Sequence, residues 1–552
     1  MDDRLLDIKD LVIEADIHGK WAPIINGLSM SLKRGEIIGL IGESGAGKST
    51  FGLAAMAYTK PGCRIVSGSI RLNGVELVGM PDAELRKIRG NNVAYVAQSA
   101  AASFNPAHTL SEQFAESPVQ HGKMSMPEAR KLSVELFRQL DLPDPEHIGE
   151  RYPHQVSGGQ LQRAMTAMAL GSDPDIIIFD EPTTALDVTT QIEVLGAIKE
   201  AVKARNVAAI YISHDLAVVA QMADTIMVLR HGNLVEEGDA RSMLANPRED
   251  YTRRLLNVRS LRDPRTDHDD ENIQLRIENV TARYSRAPVD VLSDININIV
   301  KGKTVALVGE SGSGKSTLAR VITGLLPPSR GRVVFQGREL APALKMRSKK
   351  DLQSIQIIFQ MADVAMNPRQ KIKEIIGRPL EFYLGMKGRK RDERVLELLR
   401  QIEIPEAYAE RYPAQLSGGE KQRICIARAL AAGPDLIICD EVTSALDQLV
   451  AEGILDLLLN LQKDLNVSYL FITHDLATVK SIADEIVVMY QGKVVEQGPK
   501  AKILAPPHAP YTELLLSSVP EMNPDWLDDL VDRRKRGEAI TAQGVASQFN
   551  PD

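Results

Sequence analysis

The chain has 552 residues, 44% apolar and 25% charged, which is ordinary for folded globular proteins and excludes disordered and fibrous classes. With 66 basic and 73 acidic residues the net charge is −7, so no broad nucleic-acid surface is expected. No run approaches the roughly 18 uninterrupted apolar residues of a spanning helix, Met1-Asp2-Asp3-Arg4 does not open a secretory signal, and a cytosolic chain is expected.

The first informative element is Ile37-Ile38-Gly39-Leu40-Ile41, a short apolar run with the pattern of a buried parallel strand. It leads into Gly42-Glu43-Ser44-Gly45-Ala46-Gly47-Lys48-Ser49-Thr50, which matches the phosphate-binding pattern G-x-x-x-x-G-K-S/T between a strand and a helix. Glycines there let backbone N–H groups turn towards phosphate oxygens, Lys48 neutralises the β and γ groups, and the Ser49 hydroxyl ligates magnesium. Ser157-Gly158-Gly159-Gln160 then opens a helical stretch, Leu161 to Leu170. Free N–H groups at the positive end of a helix dipole suit a γ-phosphate, and a simple helix cap is the alternative.

Next, Ile176-Ile177-Ile178-Phe179 reads as another buried strand and ends in Asp180-Glu181. Alone, such a pair is an ordinary exposed strand end. After a phosphate loop, Asp180 is expected to hold magnesium and Glu181 to orient and deprotonate water. Ala209-Ile210-Tyr211-Ile212 follows, then Ser213-His214-Asp215; a lone histidine after a strand is more often a local hydrogen-bonder than a catalyst. Arg262-Asp263-Pro264-Arg265-Thr266-Asp267-His268-Asp269-Asp270-Glu271 is polar, charged and proline-interrupted, and reads as an exposed linker.

The whole series then occurs again. Val305-Ala306-Leu307-Val308 leads into Gly309-Glu310-Ser311-Gly312-Ser313-Gly314-Lys315-Ser316-Thr317; Ser417-Gly418-Gly419-Glu420 opens the stretch Lys421 to Ala431. Leu436-Ile437-Ile438-Cys439 ends in Asp440-Glu441, and Tyr469-Leu470-Phe471-Ile472 precedes Thr473-His474-Asp475. Ser157 to Ser417, Asp180 to Asp440 and His214 to His474 are each a step of 260 residues, whereas Lys48 to Lys315 is 267. Repeats of this size are whole domains. The expected division is residues 1–260, a charged linker at 261–272, residues 273–520 and a C-terminal tail at 521–552. Past Leu516 the tail looks irregular and solvated, with Asp532-Arg533-Arg534-Lys535-Arg536 a candidate for acidic lipid headgroups. Only Cys63, Cys425 and Cys439 occur, too widely spaced for a zinc or iron–sulfur set, and they read as packing residues.

Taken together, these motifs resemble the ATP-binding subunits of ABC transporters over nearly the whole chain. The resemblance implies an α/β P-loop NTPase fold of the ABC ATPase type in two tandem copies, each a RecA-like core with a helical signature subdomain. It places the family's Q-loop glutamine on Gln98 and Gln360, as a magnesium ligand and a catalytic residue beside the reacting water. Its D-loop falls on Ala185-Leu186-Asp187 and Ala445-Leu446-Asp447, with Asp187 and Asp447 near nucleotide, and its switch histidine on His214 and His474. The cofactors implied are ATP and Mg2+. In this family two domains pair head to tail, so one site would join Lys48, Asp180 and Glu181 to Ser417-Gly418-Gly419-Glu420, and the other Lys315, Asp440 and Glu441 to Ser157-Gly158-Gly159-Gln160. Fusing both in one chain makes that pairing intramolecular. Glu420 stands where the family usually has glutamine and Val442 where the first half has Pro182; neither removes a ligand, so both sites are expected to be active. Tyr284, 31 residues before Lys315, lies where the family stacks an aromatic on adenine; the first half has Ile17 at that offset, and Trp21 either substitutes or packs in the core.

The wording Gly-Glu-Ser-Gly, the pairs Asn105-Pro106 and Asn367-Pro368, and the ends Tyr251-Thr252 and Tyr511-Thr512 look like the peptide-type importers. That group implies two transmembrane permease subunits, an extracytoplasmic substrate-binding protein and a peripheral place on the cytoplasmic face of the inner membrane. Coupling helices would be received around Ser99 to Gln113 and Met361 to Lys373. Fused sugar or opine importers are the nearer alternative, and soluble twin ATPases of translation or DNA repair the more distant one.

Overall fold

The computed structural model describes residues 4–17, 19–183, 186–257, 272–285, 289–444, 446–542 and 544–545. The expected linker, apart from Asn272, and the D-loop residues Ala185 and Ala445 lie outside them. The chain divides into two compact units, Met1–Val258 with Pro520–Ala539, and Arg259–Val519 with Ile540–Asp552.

In the first unit a six-stranded sheet runs, in spatial order, Val93–Val96, Ile176–Asp180, Ala208–Ile212, Ile37–Ile41, Thr225–Arg230 and Asn233–Asp239. All neighbours are parallel except the last pair. Every residue of Ile37–Ile41, Ile176–Asp180 and Ala208–Ile212 is buried, which is why these runs are apolar on both faces. An antiparallel sheet built on the paired strands Arg4–Ile17 and Lys20–Lys33 packs over it, and Leu6, Ile8, Ile38, Phe51, Ile178 and Ile210 share one core. Helices Leu110–Gln120, Met126–Gln139 and Gly158–Leu170 form a separate layer, with Phe114 and Phe137 in edge contact at 6.0 Å.

The second unit repeats this plan: Ile355–Ile358, Leu436–Asp440, Ser468–Ile472, Thr304–Val308, Glu485–Tyr490 and Lys493–Pro499. Its helical layer, Ile372–Leu384, Gly388–Gln401 and Gly418–Leu430, is sealed by Ile376, Leu380, Leu398 and Ile424. Cys425 and Cys439 are buried within these cores, Cys63 is half-buried, and burial pushes the Cys439 thiol up.

The tail differs from the solvated segment expected. Residues Trp526–Lys535 form a helix that belongs to the first unit, with Leu527 and Leu530 buried. Lys199 pairs with Asp528 at 3.0 Å, and Lys535 pairs with Glu200. Of the basic run proposed for lipid, Lys535 is thus engaged by Glu200, while the two leucines at i and i+3 give the helix an apolar stripe to bury.

Candidate nucleotide sites

Each phosphate loop links a central strand to a short helix, Ile37–Ile41 to Lys48–Ala54 and Thr304–Val308 to Lys315–Thr323. Gly47 and Gly314 start these helices with φ of 98° and 103°, a left-handed backbone that glycine adopts without steric cost. A Cβ on Gly42 would meet the Leu229 carbonyl at 2.1 Å, so the loop also needs the space. Lys48 Nζ, buried, donates to the carbonyls of Gly42 at 2.7 Å and Glu43 at 3.0 Å. Lys315 Nζ donates to Gly309 and Glu310, both at 2.7 Å. The lysines thus brace the loops across which phosphate would lie.

The serine after each lysine meets the strand-end aspartate. Ser49 Oγ donates to Asp180 Oδ1 at 2.8 Å and Ser316 Oγ to Asp440 Oδ1 at 3.1 Å. Hydroxyl and carboxylate oxygens are the hard donors magnesium takes, so the residues present fit that ion. Burial raises the Asp440 carboxyl above the ordinary aspartate range, the Ser316 hydrogen bond opposes this, and the charge of Glu441 adds to it. An added positive charge is therefore favoured there.

Glu181 and Glu441 have φ of 48° and 51°, a strained backbone for a side chain of this size, held by N–H bonds to the carbonyls of Ile212 and Ile472, both 2.9 Å. That turn aims each carboxylate at two of the expected partners. Gln98 Nε2 donates to Glu181 Oε2 at 3.0 Å, and His214 Nδ1 lies 3.2 Å from the same oxygen. Gln360 Nε2 donates to Glu441 Oε2 at 2.6 Å, with His474 Nδ1 3.6 Å from Oε1. Burial alone would lower each imidazole; the hydrogen bond and charge of its glutamate outweigh that and hold both histidines above their ordinary value. The hydrogen bond from His474 in turn carries Glu441 below the usual range, against burial. Gln98 and Gln360, expected among the magnesium ligands, turn amide nitrogen to the glutamates here, and each keeps its amide oxygen, the atom through which such a side chain would ligate a metal.

One contact has no counterpart in the motifs. Tyr95 Oη donates to Asp180 Oδ2 at 2.7 Å, so the first aspartate is held on both oxygens. Ile357 stands at the matching place before Gln360, and the second site lacks that hydroxyl.

Both signature segments prove to be helix caps as well. Ser157 Oγ accepts the Gln160 N–H at 3.3 Å while Gln160 Oε1 accepts the Ser157 N–H at 3.0 Å. Glu420 does the same for Ser417, at 3.4 and 2.7 Å. This reciprocal cap starts the helices at Gly158 and Gly418, three residues before the expected stretches, and accepts glutamate as readily as glutamine. Gly159 and Gly419 are needed for packing, since a Cβ would lie 2.3 Å from Thr190 Cγ2 and 2.5 Å from Val450 Cγ1. Asp187 and Asp447 cap the following helices, Val188–Ala204 and Gln448–Leu465.

Around the loops, Tyr284 Oη lies 3.2 Å from Thr317 Oγ1 and accepts from Arg320 Nη1 at 3.0 Å, which puts the ring beside the second phosphate-loop helix. Trp21 is 44% exposed with the Arg64 guanidinium 4.0 Å over its ring, so it is not a core residue, and Ile17 is 50% exposed. Among the described residues no helix is long and apolar enough to cross a membrane.

Phosphate-binding loops of this kind, each facing an Asp-Glu strand end, define P-loop ATPases, and this chain contains two. The ABC transporter domain family matches residues 25–184 and 292–444, and the family described as oligopeptide/dipeptide transporter, C-terminal region, matches 495–550. The glutathione import ATP-binding protein GsiA of Escherichia coli O157:H7 is 37% identical over 91% of this chain and 87% of its own. Its counterpart in Salmonella typhimurium is 36% identical over 94% and 90%. Among solved structures, cbiO1 of Clostridium perfringens, part of the transporter complex cbiONQ, is 30% identical over 42% of this chain and 91% of its own, with a TM-score of 0.38. The ATP-binding cassette MJ0796, bound to ADP and Pi, is 32% identical over 41% and 98%, with a TM-score of 0.37. The chain belongs to the ABC transporter family, as an importer ATP-binding protein of the oligopeptide/dipeptide type, and hydrolyses ATP to power uptake.

Proposed function

We propose that this chain drives import of peptides or peptide-like small solutes, glutathione among them, using MgATP at two sites. The observation that carries this is the doubled set: Lys48, Ser49, Asp180, Glu181, Gln98 and His214 in one unit and Lys315, Ser316, Asp440, Glu441, Gln360 and His474 in the other, in near-identical geometry. Magnesium held by the serine and aspartate oxygens would neutralise charge on the β and γ groups. Lys48 and Lys315 exchange carbonyl partners for phosphate oxygens, while Glu181 and Glu441 orient water and accept its proton. The glutamine amides and histidines fix the carboxylates for that task, and Tyr284 stacks on adenine in the second unit.

Each nucleotide is completed by the signature helix of the other unit, Ser417-Gly418-Gly419-Glu420 for the first and Ser157-Gly158-Gly159-Gln160 for the second, with Asp187 and Asp447 alongside. Two permease subunits dock at the segments 99–113 and 361–373, on the cytoplasmic face of the membrane, and an extracytoplasmic binding protein delivers solute. Exposed Met361 and Val364 beside Gln360 supply apolar surface suited to such docking. The test is ATPase activity and labelled-glutathione or dipeptide uptake in vesicles holding the full transporter. Glu181→Gln or Glu441→Gln is expected to cut hydrolysis at its own site by about 10² to 10⁴, with nucleotide binding kept, and to bring total turnover far below half. A single variant that retains half of the wild-type rate overturns coupled, composite sites.

A further inference from the structure

We propose that Tyr251 and Tyr511 are positioning residues for the two phosphate loops, and that this is the chemical task of the short helices Asp250–Asn257 and Pro510–Ser517. The Glu310 N–H donates to Tyr511 Oη at 2.8 Å and the Glu43 N–H to Tyr251 Oη at 3.3 Å. The tyrosines stand 201 and 208 residues from their partners and 260 from each other, so the chain makes the same long-range bond twice. Their hydroxyls are held by rigid surroundings. Tyr511 is fully buried against Tyr490, ring centroids 4.4 Å apart, and Tyr251 sits under Arg230 at 4.8 Å. Glu236 accepts the N–H groups of Arg248 and Glu249 at 2.9 and 3.2 Å, and Glu496 that of Ala509 at 3.2 Å, fastening the helices Asp250–Asn257 and Pro510–Ser517 that carry them.

The bond falls on the second residue of each loop, whose carbonyl is bound by the loop lysine. When phosphate draws the lysine away, the tyrosine bond is unaffected, because it holds the N–H side of the same residue. The loop then keeps its shape through the whole cycle, so its contribution is to nucleotide binding in ground state and transition state alike.

The inference rests on the loops being the ATP sites, and the experiment separates the two. In the full chain, Tyr251→Phe with Tyr511→Phe keeps both rings and removes only the hydroxyls. The dissociation constant for MgADP and the KM for ATP are expected to rise roughly three- to tenfold, with kcat held within about twofold and the larger share from Tyr511→Phe. Unchanged nucleotide constants, with or without a lower melting temperature, overturn the positioning role, as does a fall in kcat at constant KM. Lys48→Ala with Lys315→Ala, measured alongside, is expected to abolish MgADP binding; binding that survives it overturns the assignment of the loops themselves.

Discussion

Asp180 and Asp440 occupy the same place in their units, yet a phenol steadies only the first. Residues behind a metal ligand fix its orientation, and losing one commonly costs about 10- to 100-fold in metal affinity. Tyr95→Phe is expected to weaken Mn2+ binding at the first site by about tenfold, read by electron paramagnetic resonance with ADP present. The second site, with Ile357, serves as the control; two sites that respond equally, or neither, remove the claim that Tyr95 distinguishes them. The lysines, serines and Asp-Glu pairs are marked in the sequence by their spacing and neighbours, whereas the glutamines and histidines are named only through the family resemblance. Tyr95 was not legible there, since it is one more aromatic in a strand until residue 180 folds against it. The left-handed turn at Glu181 and Glu441 left no local sign either, because its cause is a hydrogen bond to a neighbouring strand.

Among the elements, the helix Asp250–Asn257 shows how a short segment of modest propensity is fixed by one carboxylate. Glu236 is 9% exposed. Burial alone would raise its pKa, but the Thr252 side chain and the N–H groups of Arg248 and Glu249 outweigh that and hold it below the ordinary glutamate value of 4.5. A depressed carboxylate adds stability above its unfolded value and loses it as pH falls through the folded one. Glu236→Gln is therefore expected to melt at lower temperature than the natural chain at pH 7, with the gap closing as pH falls below 4.5. A gap that stays constant down to pH 3 shows that the charge is not what fastens this helix. The signature helices carry a related lesson: the sequence favours Ser-Gly-Gly-Gln and Ser-Gly-Gly-Glu as phosphate sites, with a simple helix cap as the alternative. The fold shows the cap, and a cap leaves the first N–H groups of the helix facing outward.

For the whole molecule, the consequential feature is that the chain returns. After building the second unit it supplies Pro520–Ala539 to the first. The buried Gln221 amide donates to the carbonyls of Glu521 at 2.6 Å and Asn523 at 2.9 Å, and its oxygen accepts the Leu527 N–H at 3.0 Å. Arg241 adds a bidentate pair with Asp525. Leu530→Ala is expected to weaken this docking by about 2–5 kcal/mol, seen as loss of hydrogen-exchange protection in residues 526–535 and around Gln221. Protection that is unaltered in both places counts against the docked helix. A chain ending at residue 258 is likewise expected to melt below the first unit of the full chain, and a peptide spanning 520–539 to restore it.

By itself the sequence determined the class of fold, the duplication and the phosphate loops, because these depend on periodicity and on motifs a few residues long. Tertiary structure alone decided which groups Tyr95, Tyr251 and Tyr511 touch, how Glu181 and Glu441 are turned, and where the last helix lies. Those features join residues tens to hundreds of positions apart. Their energies come from burial and from hydrogen bonds that exist only once the strands and helices have been brought together.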